Sequence, residues 1–251
     1  MTPSLSIIIP AYNEEACITD SLTEVVRFAR DRGGETNVIL VDDGSNDRTV
    51  ASASVVVSQA ELSIEIVRHA TNRGKGASVR TGFERATGEI VMFTDADLSS
   101  PMSETPRLLA PIIAGDYDIV VGSRALNRSL TAVRQSRFRE NAGKIFNLMV
   151  RAVTGLPVWD TQCGFKAFRR EAAAPVFAMQ RLDGYAFDVE LLFLAARLGL
   201  RTLEIPVRWR HVANSKVSMP RDSVRMFCDL LRIRWHAWRG RYPIPQPQTD
   251  V

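Results

Sequence analysis

The chain has 251 residues, 45% hydrophobic and 24% charged, the size and mix of one large globular domain or two small ones, which excludes a disordered, collagenous or coiled-coil protein. A total of 32 Lys and Arg against 28 Asp and Glu leaves a net charge of +4. This points to an anionic partner, although the two signs nearly cancel and their placement matters more than their sum. No unbroken apolar stretch approaches the roughly 20 residues that cross a bilayer, and residues 1–10 lack the basic start and apolar core of a secretory signal. The chain is therefore expected to stay in the compartment where it is made. Cys17, Cys163 and Cys228 are odd in number and far apart, without CxxC spacing, so they read as reduced thiols in packed positions.

Along the first half, short β-branched apolar runs alternate with segments of helical period, the pattern of βα units on a mostly parallel sheet. Strands are expected at 5–10, 37–42, 64–69, 90–95 and 118–122. After the first, Ile18, Leu22, Val25 and Ala29 mark a helix face that stops at Gly33-Gly34, and further helices are expected at 47–58, 74–87 and 101–115. Polar clusters follow the strands, at Asn13-Glu14, Asp42-Asp43-Gly44-Ser45 and Asp95-Ala96-Asp97, on the carboxyl edge where open α/β sheets bind ligands.

The second half is more helical. At 137–155 the period puts Phe138, Ala142, Ile145, Met149, Ala152, Val153 and Leu156 on one face and Glu140, Lys144, Asn147 and Arg151 on the other. A helix at 188–198, a strand at 201–207 and a helix at 223–238 follow. This last helix carries two apolar stripes, Val224, Phe227, Cys228, Leu231, Trp235 and Trp238 on one side and Met226, Leu230 and Ile233 nearly opposite, with Arg225, Arg232, Arg234 and Arg239 at the seams. Such a helix packs on the protein by one stripe and on something else by the other. Residues 242–251, with three prolines, read as a flexible tail.

Asp95 and Asp97 emerge at a strand end, where hard carboxylate oxygens hold Mg²⁺ or Mn²⁺ together with a diphosphate. An Asp-rich turn has the plainer reading of a helix cap. Asp42-Asp43-Gly44-Ser45 reads as an Asx-turn or as a carboxylate that accepts a hydrogen bond from a base or ribose. At Thr71-Asn72-Arg73-Gly74-Lys75-Gly76, glycines at a helix start let backbone N–H groups approach an anion, and Lys75 adds a charge; the spacing is not that of a Walker A loop.

Four blocks in order, Pro10-Ala11-Tyr12-Asn13-Glu14-Glu15, Val41–Asp47 with its Asp-Asp-Gly-Ser core, Asn72-Arg73-Gly74-Lys75-Gly76 and Asp95-Ala96-Asp97-Leu98-Ser99, resemble the family 2 glycosyltransferases of the GT-A fold. Val120-Val121-Gly122-Ser123-Arg124, Asp160-Thr161-Gln162-Cys163-Gly164-Phe165-Lys166 and the block from Ala186 through Asp188 and Glu190 to Leu192 resemble the branch that glycosylates polyprenyl phosphates, dolichyl-phosphate glucosyltransferases above all. The resemblance implies an α/β GT-A fold in a single domain over 1–241, with a nucleotide-sugar half at 1–122 and an acceptor and membrane-facing half at 123–241. It implies that Pro10, Tyr12, Glu14, Asp42, Lys75, Asp95 and Asp97 bind the nucleotide sugar, that Asp97 and Asp95 hold the metal, and that Lys216 is a late diphosphate contact. Ser99, where mannosyl relatives often carry an amide, favours UDP-glucose over GDP-mannose.

Chemistry supports the phosphate acceptor separately. Transfer to a hydroxyl needs a base, whereas a phosphate monoester is already ionised and needs cations to gather two anionic reactants. Arg124, Arg128, Arg134, Arg137, Arg139 and Lys144 supply them, opposed only by Glu140, although a solvated basic face is the ordinary fate of such a run. Arg124 is the expected phosphate contact, with Arg134 and Arg137 as acceptor candidates; by the resemblance, Asp188 and Glu190 lie near where hydroxyl-using relatives place their base. No platform for nucleic acid is present, and His69, His211 and His236 read as structural or surface groups. The expected setting is the cytoplasmic face of a membrane, held peripherally by the arginine-bordered helices or through a separate membrane subunit. A soluble hydroxyl acceptor with Asp188 as base, and a non-catalytic binding module, are the alternatives.

Overall fold

The run Leu5-Ser6-Ile7-Ile8-Ile9 is buried on both sides, as a central parallel strand must be, and the sheet grows outward from it. The computed structural model describes residues 2–127, 130, 137–210 and 219–243, without the side chains of 137–145 and 219–223. In chain order the elements are β1 (Leu5–Ala11), α1 (Ile18–Arg32), β2 (Thr36–Asp42), α2 (Thr49–Gln59), β3 (Ser63–Arg68), α3 (Lys75–Arg85) and β4 (Ile90–Phe93). A 3₁₀ turn at Met102–Glu104 leads into α4 (Thr105–Ile113) and β5 (Ile119–Ser123), followed by α5 (Arg137–Thr154), β6 (Lys166–Arg169), α6 (Arg170–Met179), α7 (Phe187–Arg197), β7 (Thr202–Pro206) and α8 (Met219–Trp238).

Seven strands form one sheet in the order β3-β2-β1-β4-β6-β5-β7. The pairs β1–β2, β2–β3, β1–β4 and β5–β7 are parallel, whereas β6 runs antiparallel to both of its neighbours. That reversal has a functional consequence. Lys166, the first residue of β6, lies opposite Phe93 and Val121, so the amino end of β6 joins the edge where β1, β4 and β5 deliver their carboxyl ends. The period-2 alternation of the strands feeds two cores. Ile7, Ile9, Met92 and Val120 pack under α1 and α4, while Ile8, Phe93, Val121 and Phe168 pack under α3, α5, α6, α7 and α8.

Several expected elements shift. The helix expected at 101–115 is a 3₁₀ turn followed by α4, because Pro106 lies in its first turn and starts the α-helix there. Strand β4 ends at Phe93 rather than Asp95, since Leu98 N–H turns back to Asp95 O at 3.0 Å. Neither β6 nor α6 was expected. Lys166-Ala167-Phe168-Arg169 is four residues long with a cation at each end, and only its placement between β4 and β5 buries it.

In α5 the inward face is Phe146, Met149, Val150 and Val153, while Ala152 is exposed. The face is rotated from the expected stripe because α5 packs against α8 as well as on the core beneath it. Phe138, Ala142 and Ile145 of that stripe lie outside the described side chains. Helix α8 keeps both its stripes: Leu230 and Ile233 are fully buried, and Val224, Phe227, Leu231, Trp235 and Trp238 face outward. Cys228 is exposed on that outer side rather than packed, and all three cysteines are free thiols. Tyr242, expected at the start of the flexible tail, is buried and donates its O–H to Glu190 Oε1 at 2.6 Å. Residues 244–251 lie outside the described residues.

Candidate active site

At the end of β2, Asp42 is fully buried; its Oδ2 accepts from Ser45 N–H at 3.2 Å and lies 3.2 Å from Arg68 Nε. Its Oδ1 is buried without a partner among the described residues. Gly44 makes this turn with φ +73, and a Cβ there would strike the backbone at Thr71 and Asn72. The β1 loop is sewn to the β2 loop: Asn13 N–H donates to Ser45 Oγ, Asn46 N–H to Asn13 Oδ1 and Glu14 N–H to Thr49 Oγ1, at 2.8, 2.8 and 2.7 Å. Pro10, Tyr12 and Glu14 are therefore half-buried beside Asp42.

Asp43 has a different task from Asp42. It accepts from Arg73 N–H (2.9 Å) and Gly74 N–H (2.7 Å), and its Oδ1 lies 2.7 Å from His69 Nδ1. His69 Nε2 lies 3.0 Å from Thr81 Oγ1, so this histidine is structural, as expected. The N–H groups of Gly76 and Ala77 donate to Asp183 O at 2.8 and 3.3 Å, and a Cβ on Gly74 would overlap the same carbonyl. The glycines at the start of α3 thus admit a protein carbonyl. This corrects the expectation that these N–H groups cradle an anion, and leaves the Lys75 side chain as the cationic group of the loop.

Lys75 Nζ lies 2.5 Å from Asp95 Oδ1. Burial would raise the Asp95 pKa, but Lys75, Arg124 and Lys166 together hold it below the ordinary carboxylate range. Burial would likewise lower the Lys75 pKa, but Asp95 and Asp188 outweigh it and hold the ammonium charged. A Cβ on Gly164 would overlap the Asp95 carboxylate, so glycine at 164 lets the 160–166 segment close against Asp95. Two residues on, Asp97 is half-buried and accepts from Ser99 N–H at 2.9 Å through Oδ1. Leu98, between Asp97 and Ser99, adopts φ +45, a left-handed conformation that completes the turn.

Arg124 leaves the end of β5 and is clamped by Asp160, with Nε to Oδ2 at 2.7 Å, Nη2 to Oδ1 at 2.8 Å and its own N–H to Oδ2 at 2.9 Å. Burial opposes the charge on Asp160, yet Arg124 keeps it well below the usual range. Cys163 beside them is pushed up to about 12, by burial first, and stays a thiol. The Arg124 guanidinium lies 5.6 Å from the Trp209 ring, and the next residue, Arg210, donates its N–H to Ser99 O at 2.9 Å. One segment therefore joins the Asp97 turn to Arg124 along one edge of the sheet.

Beneath them, fully buried Lys166 places Nζ 2.5 Å from Asp188 Oδ1 and donates to Cys163 O at 2.6 Å. Asp188 is itself buried, and burial pushes its pKa up against the pull of Lys166 and Lys75. Lys75, Asp95, Arg124, Asp160, Lys166 and Asp188 make one alternating set of charges. Lys166 and the clamp on Arg124 were not foreseen as site features; the Asp160–Lys166 block was the available signal, and the reversed strand that brings it in was not. Glu190 is structural: it accepts from Arg181 and Leu182 N–H groups and from Tyr242. Arg128, Arg134 and Lys216 lie outside the described residues, as do the side chains of Arg137, Arg139 and Lys144.

The residues fit a divalent cation of the Mg²⁺ or Mn²⁺ type in one way only. Among the described residues there is no group of three or more His, Cys, Asp or Glu that makes a protein cage. Asp97 instead offers carboxylate oxygen at the edge, which suits an ion that takes one or two protein carboxylates and completes its shell with phosphate and water.

A buried carboxylate at the end of β2, a DxD turn after β4 and a clamped arginine after β5, on a mixed sheet between helices, are the arrangement of a nucleotide-sugar transferase of the GT-A type. The chain belongs to Glycosyl transferase family 2, whose model matches residues 6–177. It is 34% identical over 254 residues to the dolichyl-phosphate beta-glucosyltransferase of Saccharomyces cerevisiae, covering 95% of this chain and 76% of that protein. To the Homo sapiens protein of the same name it is 32% identical, over 98% of this chain and 79% of the other. Glucosyl-3-phosphoglycerate synthase from Mycobacterium tuberculosis, in complex with Mn²⁺, UDP and phosphoglyceric acid, shares the fold with TM-score 0.68 at 21% identity, over 98% of this chain and 80% of that one.

Proposed function

We propose that the protein transfers glucose from UDP-glucose to a polyprenyl phosphate of the dolichyl type, inverting the anomeric carbon, at the cytoplasmic face of a membrane. The observation that carries this reading is the Asp95–Asp97 turn sharing one edge with the Asp160-clamped Arg124. The names of the relatives agree with it and favour glucose over mannose.

Asp42, with its open Oδ1, accepts a donor from the base or ribose, beside Pro10, Tyr12 and Glu14. Asp97, assisted by Asp95, holds the Mg²⁺ or Mn²⁺, which when bound neutralises the diphosphate leaving group. Lys75, kept charged by Asp95, adds a second cation for that diphosphate. Arg124, fixed in plane by Asp160, receives the acceptor phosphate and holds it in line, aided by Arg134 and Arg137, while Lys216 adds a late contact to the diphosphate. The phosphate oxygen forms its bond to the sugar C1 as the bond from C1 to the UDP oxygen breaks, and that electron pair leaves on UDP. No proton is removed, which accords with Asp188 being buried and paired to Lys166 rather than open as a base. This burial weighs against a soluble hydroxyl acceptor.

Peripheral attachment is supported by the outer stripe of α8, Val224, Phe227, Leu231, Trp235 and Trp238, edged by exposed arginines. No helix among the described residues is long and apolar enough to cross a membrane. Attachment is then reversible, alone or with a membrane subunit. The test is to incubate the protein with Mg²⁺ or Mn²⁺, labelled UDP- and GDP-sugars and a short polyprenyl phosphate. Chloroform-soluble label from UDP-glucose is expected; label only in water-soluble product would favour the hydroxyl acceptor.

A further inference from the structure

A single half-exposed aromatic on a protein surface needs no explanation. Trp159 is different because three independent constraints fix it. Its backbone N–H donates to Glu204 Oε2 at 2.9 Å while the N–H of Asp160 donates to Oε1 of the same carboxylate at 2.8 Å. The Arg151 guanidinium carbon lies 3.9 Å from the centroid of its ring. Its chain neighbour Asp160 is the residue that clamps Arg124. The backbone of this 52% exposed tryptophan is thus held next to the clamp on Arg124, with its ring against Arg151.

Exposed apolar side chains stand on the two elements that flank it. Leu148, one turn before Arg151 on the same face of α5, is 67% exposed. Leu126, two residues after Arg124, is also exposed. Arg124 supplies a cation at one end, next to the Asp160 clamp, and Arg151 lies between the Trp159 ring and the turn of α5 that carries Leu148. That is the complement of an amphiphile with an anionic head and an apolar chain, and α8, packed against α5, carries the outer stripe assigned to lipid.

We propose that Trp159, backed by Arg151, is the docking site for the first isoprene units of the lipid phosphate acceptor, and so sets the enzyme's preference for a long-chain acceptor over a short one. This rests on the function proposed above. With Arg124 holding the phosphate, the hydrocarbon next to it runs across the indole toward Leu148, and Arg151 keeps the ring from turning. Trp159 acts as a specificity residue for the acceptor tail.

The experiment compares kcat/KM for a polyprenyl phosphate of several isoprene units with that for a short alkyl phosphate, both in nonionic detergent micelles, for the unaltered enzyme, Trp159→Ala and Trp159→Phe. Trp159→Ala is expected to lower the long-to-short ratio on the order of tenfold, the scale of losing much of one buried aromatic surface, and Trp159→Phe to restore most of it. An unaltered ratio, including equal loss on both acceptors as from a loosened Asp160 clamp, would overturn the proposal. So would a loss seen in vesicles but not in micelles, which makes bulk lipid the occupant. A change of sedimentation mass in Trp159→Ala would overturn it in favour of a second copy of the chain. If the unaltered enzyme transfers to neither acceptor, the functional reading falls first and takes this inference with it, an outcome visible before any variant is made.

Discussion

Asp97 spends one carboxylate oxygen on Ser99 N–H and is otherwise half-buried at the sheet edge, so its loss removes little from the fold and much from the chemistry. Asp97→Ala is expected to lower turnover by a factor of at least about 100, with an unchanged circular dichroism spectrum and a thermal midpoint within a few degrees of the parent. Activity retained by a folded Asp97→Ala protein would remove the metal assignment. Asp160 bears on both structure and acid stability. Its pKa is held below 3.8 because Arg124 outweighs the opposing effect of burial. The folded chain therefore binds fewer protons than the unfolded one at this site, and the stability it lends is present above about pH 4 and fades as pH falls through the lowered folded value. Asp160→Asn should cost several degrees in Tm at pH 7, with the gap to the parent closing below pH 4. Melting curves at several pH values measure this, and a gap independent of pH would show that the ionic pairing is immaterial.

Helices and strands differ in how far their sequence announced them. The elements from β1 to β5 were legible because each has a β-branched run or a helical period of its own. Strand β6 was not, since four residues with charged ends carry no period, and their burial comes from β4 and β5 on either side. The two stripes of α8 were legible as a pattern, but only packing decided that Leu230 and Ile233 go inward. The outer stripe makes α8 testable as an element: Trp235→Ser with Trp238→Ser should weaken co-sedimentation with anionic vesicles. Raising the salt should weaken the parent in the same direction, because clustered arginines each add about 1 kcal/mol at such a surface. Binding unaffected by both changes would assign attachment elsewhere. The chain after α8 is pinned by Tyr242, whose O–H is the partner of buried Glu190 Oε1. Tyr242→Phe should cost about 1–3 kcal/mol in urea unfolding, and no measurable cost would mean that Glu190 is satisfied without it.

Across the whole molecule, the site is a line of alternating charges on one sheet edge, assembled from segments far apart in the chain. The carboxylates were legible because each follows a strand end at Asp42, Asp95 and Asp97, and Arg124 because it follows β5. Their partners were not. Lys75 and Asp95 are 20 residues apart, and Arg124 and Asp160 are 36 apart, and the latter pair meets only because β6 runs against its neighbours. The backbone of the α3 start shows the converse, a glycine pattern suited to an anion but filled by the Asp183 carbonyl. The arrangement as a whole predicts a transferase that joins two anions without a general base. The most direct measurement is the partition of label after incubation with labelled UDP-glucose, Mg²⁺ or Mn²⁺ and a polyprenyl phosphate. Label passing into chloroform, and not doing so with Asp97→Ala or Arg124→Ala, is the predicted result; label that stays in water, or that reaches chloroform equally with both variants, would contradict the account.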